Sequence, residues 1–557
     1  MKSKSWQTQR NKPRQRSSLN IPPVSLLSPH AERRPQTASY GSWVQDIGLD
    51  ELIEAFGAHR RYIPFIWQTL EGLETDISVI AWRQAVFADF MRNSQLVDQI
   101  ETLLSKLATL KEPRTLLGGT RRSLLLETSD RLAELDVYID IIQTLSVALS
   151  QSTLESTALT TLRDNVLKVC EDENYQFLRD QLPELRQPLE SIASLTIGVN
   201  LDLQLQPNSV VLLAVNDYRF AEPASFLDRL IGITDNNSES GIAPVHYTPR
   251  ETDLRPFSPL FQDLDRLMKD VADPVANALN RYTRGNSDTL MRLEYELAFY
   301  VLAAKLIRRL RDRGVAFCQP DIAPKESRYA NIEALMNTAL AVRDGSQPIP
   351  SDVQLDESGR IAILTGPNSG GKTTYLCAVG LAQVMFQTGL FIPAQRAHMS
   401  PVDKILTHFP ALETRQQGRL AEEAARLREI LHEATQYSLI FLNETFSSTS
   451  SSEAVYLGRD ILAGLRAIGV RAIYTTHFVE LTDQIGDIMT MIDGDSDLMS
   501  LVAVVRMLED GQIICTYQIE RGDPHGQSYA REIARRHGIS LEQIIATRSQ
   551  LDGDRRD

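Results

Sequence analysis

A glycine-rich stretch carries the clearest chemistry in the sequence. It reads GPNSGGKT and consists of Gly366, Pro367, Asn368, Ser369, Gly370, Gly371, Lys372 and Thr373, with Thr374 directly after it. This spacing matches the GxxxxGK[ST] pattern, in which the backbone N–H groups of a tight turn surround phosphate oxygens. The lysine would reach the β- and γ-phosphates and Thr373 would ligate Mg²⁺. The pattern predicts a nucleotide-binding site.

An apolar stretch that ends in a carboxylate supplies a second element. It reads LIFLNE and ends at Glu444. A carboxylate at the end of a buried strand lies at the edge of the sheet where ligands bind in open α/β folds. We therefore expect Glu444 to orient or deprotonate an attacking water. Asn443 stands where a magnesium-linked aspartate is usual, and we assign it with Thr373 to the metal.

His477 follows a third apolar stretch, as the last residue of RAIYTTH. Its place in the chain, after the glycine-rich stretch and Glu444, suggests a catalytic sensor of the γ-phosphate. A histidine after a strand can also be purely structural, and both interpretations stay open.

A run of hydroxyl residues follows Glu444 and includes Ser448, Thr449 and Ser450. Hydroxyl side chains before a helix commonly cap its N-terminus. The run is longer than a cap requires, so a loop that crosses a dimer interface is the second interpretation.

These residues need a sheet to bring them together. The stretches 361–366, 438–444 and 471–477 are short, apolar and separated by helical patterns, which is typical of buried parallel strands. Residues 501–519 alternate around Asp510-Gly511 and predict an antiparallel hairpin. The second half of the chain is therefore predicted to be a P-loop α/β domain.

The first half has a different pattern. Apolar residues recur every three or four positions between about 45 and 165, which predicts packed helices. Residues 193–217 alternate around a turn-like QPNS and predict a β-hairpin. Helical periodicity returns over 259–313. A β insertion between helical blocks indicates an inserted subdomain.

The charge is uneven along the 557 residues. The net charge is −14, yet residues 1–40 hold eight Lys or Arg and one acidic residue, so the remainder carries −21. An acidic body excludes general attraction to nucleic acid. The Ser-, Pro- and Arg-rich start predicts disorder, with a basic arm for an anionic partner or a transit peptide as alternatives. The sequence contains no predicted membrane span, and its four separated cysteines fit a reducing compartment.

Taken together, these motifs resemble the ATPase of the MutS family. That family's phosphate loop typically reads GPNxGGKS/T, and its strand EYSLVLMDE is similar to QYSLIFLNE at 436–444. A TS-containing loop and a TH pair follow, matched by Thr449-Ser450 and Thr476-His477. The segment 526–540 is similar to the family's closing helix.

The resemblance implies an α+β multidomain fold, in which a helical lever domain with an inserted β-containing clamp precedes an ABC-like P-loop α/β ATPase domain. The implied limits are a disordered basic tail at 1–44, a lever domain at 45–345 with a clamp-like insertion at about 166–258, an ATPase domain at 346–548 and a C-terminal tail at 549–557.

The resemblance also implies function. We expect an ATPase that uses ATP and Mg²⁺, forms a homodimer and grips duplex or branched DNA, in repair or recombination. A cytoplasmic, nucleoid-associated location is expected, with organelle targeting by residues 1–40 left open. The mismatch-reading domain is expected to be absent, because there is no room for it before residue 45.

Two departures leave alternatives open. Asn443 replaces an aspartate, and Gly418 stands where the family has a serine. They favour a nucleotide-gated scaffold with negligible hydrolysis as the second hypothesis. Action on RNA or ribosomes is another, since backbone contacts carry no sequence information. An ABC- or SMC-type ATPase is disfavoured because no LSGGQ-like signature precedes Asn443.

Overall fold

The structure is a computed structural model of the chain. It describes residues 21–30, 41–109, 124–190, 193–204, 207–219, 287–343, 348–410, 419–447, 449–507, 513–523 and 540–545. The predictions for Asp510-Gly511, Gly418, Ser448 and most of 526–540 lie outside these residues.

The chain forms two compact units. One takes its described residues from 21–23, 99–151 and 161–294, and the other from 24–98, 152–160 and 295–557. The units follow contacts rather than chain order, so the limits expected at 44, 345 and 548 stay predictions.

Helices dominate the part of the chain before the first strand. They are α1 (Trp43–Asp46), α2 (Leu49–Ala55), α3 (Ile63–Glu71), α4 (Ile77–Arg92), α5 (Ser94–Leu107), α6 (Leu124–Gln151), α7 (Thr157–Glu171) and α8 (Glu173–Glu190). The periodic apolar residues of α6 are buried, from Leu132 to Leu149. The predicted helical character of this region is confirmed.

The predicted β-hairpin is also present. Strands β1 (Ser194–Leu201) and β2 (Pro207–Asn216) pair antiparallel, with Val199 opposite Val210. The turn lies earlier than QPNS, because Pro207 already opens β2. Asp202 starts the turn by accepting the N–H of Gln204 at 2.9 Å, and proline is tolerated as the first residue of a strand.

The second unit contains the predicted α/β sheet. Besides α1 to α4 and parts of α5 and α7, its helices are α9 (Ser287–Arg311, which begins in the first unit), α10 (Thr338–Arg343), α11 (Lys372–Gln387), α12 (Arg419–Glu433), α13 (Ser451–Ile468), α14 (Glu480–Asp483) and α15 (Ile485–Met491). Its strands are β3 (Asp321–Ile322), β4 (Ala330–Leu335), β5 (Ser351–Leu355), β6 (Ile361–Thr365), β7 (Arg396–Met399), β8 (Ile405–His408), β9 (Leu439–Asn443), β10 (Arg471–Thr475), β11 (Leu498–Met507) and β12 (Ile513–Arg521).

Six strands form the main sheet, in the order β12-β11-β6-β10-β9-β8. Strands β8, β9, β10, β6 and β11 are parallel, and β12 pairs antiparallel with β11. Every residue of β6, β9 and β10 is buried, as expected for strands covered on both faces. The three predicted parallel strands and the closing hairpin are confirmed.

A second sheet of four strands, ordered β3-β7-β4-β5, was not predicted. Its strands are two to six residues long. Strand β5 leads into β6 through a tight bridge between Asp356 and Gly359, so this strand comes shortly before the glycine-rich loop, whereas β7 follows it.

A short segment near the start of the chain is packed rather than disordered. The Ser25 hydroxyl donates to the Glu296 carboxylate at 2.8 Å, and the Leu26 N–H donates to it at 2.6 Å. The Tyr300 hydroxyl donates to the Leu26 carbonyl at 3.1 Å. Ser25, Leu26 and Glu296 are all buried.

The predicted disorder over 1–44 is therefore wrong for residues 24–28. The aliphatic side chains of this segment are buried, and its backbone is hydrogen-bonded to side chains of α4 and α9. Residues 1–20 and 31–40 lie outside the described residues. Within the described part of the chain, no helix is long and apolar enough to span a membrane.

Candidate functional site

The glycine-rich loop joins the end of β6 to α11. Gly366 has φ +136° and Gly371 has φ +91°, a region that glycine adopts at little cost. A Cβ added to Gly366 would lie 2.7 Å from the Cβ of Ala503 on β11. Gly366 is therefore needed both for its backbone conformation and for the close approach of β11.

Lys372 is the first residue of α11 and is buried, with 4% of its side chain exposed. Its Nζ donates to the carbonyl oxygens of Gly366 at 3.0 Å and Pro367 at 3.1 Å. Glu444 Oε1 lies 3.6 Å away. Burial lowers the pKa of Lys372, and the nearby Glu444 opposes that shift.

Asn443 ends β9 beside the loop. Its Oδ1 accepts hydrogen bonds from the Thr475 hydroxyl at 2.7 Å and from the Thr373 hydroxyl at 3.3 Å. In-register pairing of β9 with β10 places Asn443 opposite Thr475. Two oxygens of the predicted metal pair, Thr373 Oγ1 and Asn443 Oδ1, are thus adjacent.

Glu444 follows β9 in a left-handed conformation, with φ +48°. Its N–H donates to the Thr475 carbonyl at 3.0 Å and to the Thr475 hydroxyl at 3.1 Å. The side chain remains about one-third exposed, at 32%. The carboxylate therefore faces Lys372 while staying accessible to solvent.

Lys372, Thr373 and Glu444 line one cavity of about 570 Å³, whereas Asn443 does not line it. Residues 369–374 together with Glu444 form the polar part of the lining. An apolar wall, which was not predicted, forms most of the rest: Leu335, Leu340, Pro348, Ile349, Tyr375 and Tyr517. Asn337, which also lines the cavity, contacts the first turn of α11, because its Nδ2 donates to the Thr374 carbonyl at 2.8 Å.

His477 lies apart from the residues that line this cavity. It is exposed, and its ring is tilted by 43° against that of Phe478, with centroids 4.0 Å apart. The preceding Thr476 is buried and accepts the Phe478 N–H at 3.0 Å. The structure thus brings Lys372 and Glu444 together and leaves His477 at the surface.

The hydroxyl run caps α13. The Ser450 hydroxyl accepts the Glu453 N–H at 3.4 Å, and Glu453 Oε2 accepts the hydroxyls of Thr449 and Ser450, each at 2.8 Å. These bonds lower the pKa of Glu453. The capping interpretation is confirmed for Ser450, whereas the dimer-interface interpretation stays a prediction.

Two further polar residues contact the turn that carries Glu444. His408 at the end of β8 is buried, and its Nδ1 lies 3.1 Å from the Thr445 hydroxyl. Glu423 on α12 accepts the Phe446 N–H at 3.0 Å. Sequence reasoning missed both, although their place just before the carboxylate-bearing strand was a usable signal.

A parallel sheet with a glycine-rich strand–loop–helix and a carboxylate at the end of a neighbouring strand defines the class: an α/β domain with a loop suited to phosphate. No group of three or more His, Cys, Asp or Glu that could hold a metal occurs among the described residues.

Comparison with known proteins identifies the family. The model of MutS domain V matches residues 362–552, and the model of the MutS2 N-terminal domain matches residues 75–313. The DNA mismatch repair protein MutS of Sorangium cellulosum is 30% identical over 304 residues, covering 52% of this chain and 32% of that protein. The MutS protein of Geobacillus thermodenitrificans is 27% identical over 284 residues, covering 47% and 30%.

The chain belongs to the MutS family. A third relative, the DNA mismatch repair protein MutS of Acetivibrio thermocellus, is 30% identical over 290 residues and covers 48% of this chain. The chain spans about a third of the length of these curated relatives.

Proposed function

We propose that this protein is a MutS-type ATPase that binds ATP at residues 366–374 and hydrolyses it with Glu444. The observation that carries the proposal is the convergence of a buried lysine, a glycine-rich helix N-terminus and a partly exposed carboxylate on one cavity. A site of about 570 Å³ falls within the usual range for small-molecule and cofactor pockets.

The polar and apolar parts of the cavity lining suit different parts of one ligand. The N-terminus of α11 and Lys372 supply positive charge and N–H donors for phosphates. The apolar wall, with Leu340, Ile349 and Tyr517, offers a surface for a base and ribose. A nucleotide would use both parts of the lining, whereas a free phosphate would use only the polar part.

Magnesium fits this donor set in part. The adjacent oxygens of Thr373 and Asn443 are hard ligands, which Mg²⁺ prefers, and Mg²⁺ usually keeps several waters besides its protein and phosphate ligands. The metal would neutralise charge on the β- and γ-phosphates. Asn443 contributes no negative charge, so the protein's own share of metal binding is weak.

Glu444 is proposed to orient and deprotonate the attacking water. Its carboxylate is accessible and its backbone is fixed by Thr475 on the neighbouring strand. Lys372, 3.6 Å from it, would turn towards the phosphates when they are present. His477 is kept as a proposed sensor that has to approach the site from the surface.

We also propose that the protein works as a homodimeric clamp on DNA. The support is family membership and the relatives named as DNA mismatch repair proteins. Duplex or branched DNA is the proposed substrate, and Thr449-Ser450, with Ser448, the proposed interface loop. ATP state would then control the grip on DNA, in repair or recombination.

A nucleotide-gated scaffold is the second candidate function. The neutral amide of Asn443, where a carboxylate would serve magnesium better, favours it. Such a protein would bind ATP and change its DNA grip with negligible turnover.

Two substitutions separate these functions. Lys372→Ala should abolish nucleotide binding, because no other lysine lines the described cavity wall. Glu444→Gln should keep binding and slow hydrolysis by roughly 10²–10⁴-fold, the usual general-base contribution. Lys404→Ala and Glu433→Gln, at an exposed pair outside the cavity, are the matched controls.

The measurement is ATP affinity and hydrolysis with no nucleic acid, duplex, mismatched and branched DNA, and ribosomal RNA. DNA-stimulated hydrolysis that disappears in both site variants supports the ATPase. Binding without turnover on any substrate supports the scaffold. Wild-type affinity in Lys372→Ala would overturn the site.

A further inference from the structure

The turn that carries Glu444 adopts an unusual backbone. Glu444 has φ +48° and Phe446 has φ +63°, two left-handed conformations at non-glycine residues only two positions apart. Such conformations are sparsely populated and persist only where surrounding structure fixes them. The position of the Glu444 carboxylate therefore depends on whatever holds residues 444–446.

Polar groups from three neighbouring elements hold this turn. Glu423 Oε2 accepts the Phe446 N–H at 3.0 Å, and His408 Nδ1 lies 3.1 Å from the Thr445 hydroxyl. The Tyr474 hydroxyl donates to the Thr445 carbonyl at 3.3 Å. His408, Thr445 and Tyr474 are buried, so water is a poor replacement for these bonds.

We propose that Glu423 and His408 are positioning residues for Glu444. Neither lines the cavity, so they act through the backbone of residues 444–446 rather than on the nucleotide. The inference rests on the proposed ATPase function, because positioning matters only if Glu444 works on the attacking water.

The two residues belong to consecutive elements. His408 ends β8 and Glu423 lies near the start of α12. Each therefore connects its own element, β8 or α12, to the turn that carries Glu444 through one contact.

The main test uses Glu423. Glu423→Ala removes the acceptor for the Phe446 N–H, while Glu423→Gln keeps an oxygen acceptor without the charge. Glu422→Ala is the matched control, because Glu422 is its exposed neighbour on the same helix. We measure kcat, KM and ATP affinity for each variant, with hydrogen exchange of a peptide spanning residues 442–449.

We expect Glu423→Ala to lower kcat by at least about 10-fold, a fraction of the usual general-base contribution. ATP affinity should stay within about 3-fold, and the 442–449 peptide should exchange faster. Glu423→Gln should restore most of kcat, and Glu422→Ala should behave as wild type. A merely structural role would lower affinity and kcat together.

Variants of His408 provide a second, independent test of the proposal. His408→Asn keeps a side-chain nitrogen near the Nδ1 position, and His408→Leu removes it. We expect kcat to fall in the leucine variant and largely recover in the asparagine variant. Because both variants act through Thr445, adding Thr445→Val to His408→Leu should cause little further loss.

The outcomes also separate this inference from the proposed function. Wild-type hydrolysis that needs Glu444 but is unchanged in Glu423→Ala and His408→Leu overturns the positioning inference alone. Hydrolysis that is absent in the wild type, or unaffected by Glu444→Gln, overturns the proposed function, and the positioning inference falls with it.

Discussion

Asn443 is the residue at which this site departs most from one built around a carboxylate. Its Oδ1 already accepts two hydroxyl hydrogen bonds, which an aspartate could accept equally well. Asn443→Asp should therefore preserve the local contacts and add a negative charge next to Thr373. We expect several-fold tighter Mg²⁺–ATP binding or faster hydrolysis, measured by titrating Mg²⁺ at fixed ATP.

The control for Asn443→Asp is nucleotide binding in excess chelator. Without metal, the added charge should repel phosphates and weaken binding. A variant that is unchanged or slower with Mg²⁺ would show that the site is built around the amide.

His408 makes a prediction about pH. Burial lowers its pKa to about 4, with a smaller contribution from Arg426 that Glu423 opposes, whereas an unfolded histidine titrates near 6.5. Between these values the unfolded state binds the proton and the folded state does not. Stability should therefore fall as the pH falls from about 6.5 to about 4, by at most about 3 kcal/mol from this residue.

Denaturant unfolding between pH 7 and pH 4 measures this loss. His408→Asn should flatten the pH dependence, because its side chain does not titrate. His432→Asn, at an exposed position, should retain the wild-type dependence. Parallel curves for wild type and His408→Asn would contradict the assignment of a neutral buried histidine.

At the scale of single elements, α13 depends on a reciprocal cap. Ser450 accepts the Glu453 N–H, and Glu453 accepts the Ser450 hydroxyl. Replacing Ser450 with alanine should destabilise the first turn of α13 by about 1 kcal/mol, the typical value of a serine cap.

Hydrogen exchange of a peptide spanning residues 449–456 is the direct measurement. Ser451→Ala is the control, because Ser451 is exposed and lies in the first turn of the same helix. Equal protection in both variants would mean that the cap contributes nothing to α13.

Strands β6, β9 and β10 could be predicted because each is short, apolar and fully buried. The second sheet could not, since β3 has two residues and β5 alternates exposed with buried positions. Segment 24–28 escaped prediction because its partner Glu296 is 270 residues away from Leu26. The prediction of disorder also rested on the composition of residues 1–40 as a whole, in which the Ser- and Arg-rich residues outweigh this short apolar segment.

The candidate site also has a part that the sequence predicts and a part that only the fold reveals. The glycine-rich loop and Glu444 carry local spacing that a sequence displays. The apolar wall combines Leu335, Ile349 and Tyr517, which come from three separate segments and are joined only by folding. His408 and Glu423 act on a backbone turn whose strain no residue pattern reveals.

At the scale of the whole molecule, charge decides how DNA could be held. Residues 41–557 carry −21, while residues 1–20 hold six Lys or Arg and no acidic residue. Deleting residues 1–20 should weaken DNA binding. It should also make the slope of log binding constant against log salt concentration less steep, by about 0.9 for each phosphate that these cations neutralise. The deletion stops at 20 because residues 24–28 are packed in the fold.

A full-length chain is the matched control for this deletion. It carries glutamine at the six basic positions, which are Lys2, Lys4, Arg10, Lys12, Arg14 and Arg16. Binding titrations across salt should give both proteins the same reduced slope. A slope equal to that of the wild type would show that these cations do not touch the phosphates.

The hydrogen bonds of Ser25 and Leu26 to Glu296 also limit how far residues 1–20 can reach. Counted from that anchor, residues 1–20 can extend no further than about 90 Å, whatever their conformation. A duplex of about 26 base pairs has the same length. The amino-terminal cations can therefore touch only those phosphates that lie within about 90 Å of Ser25 and Leu26.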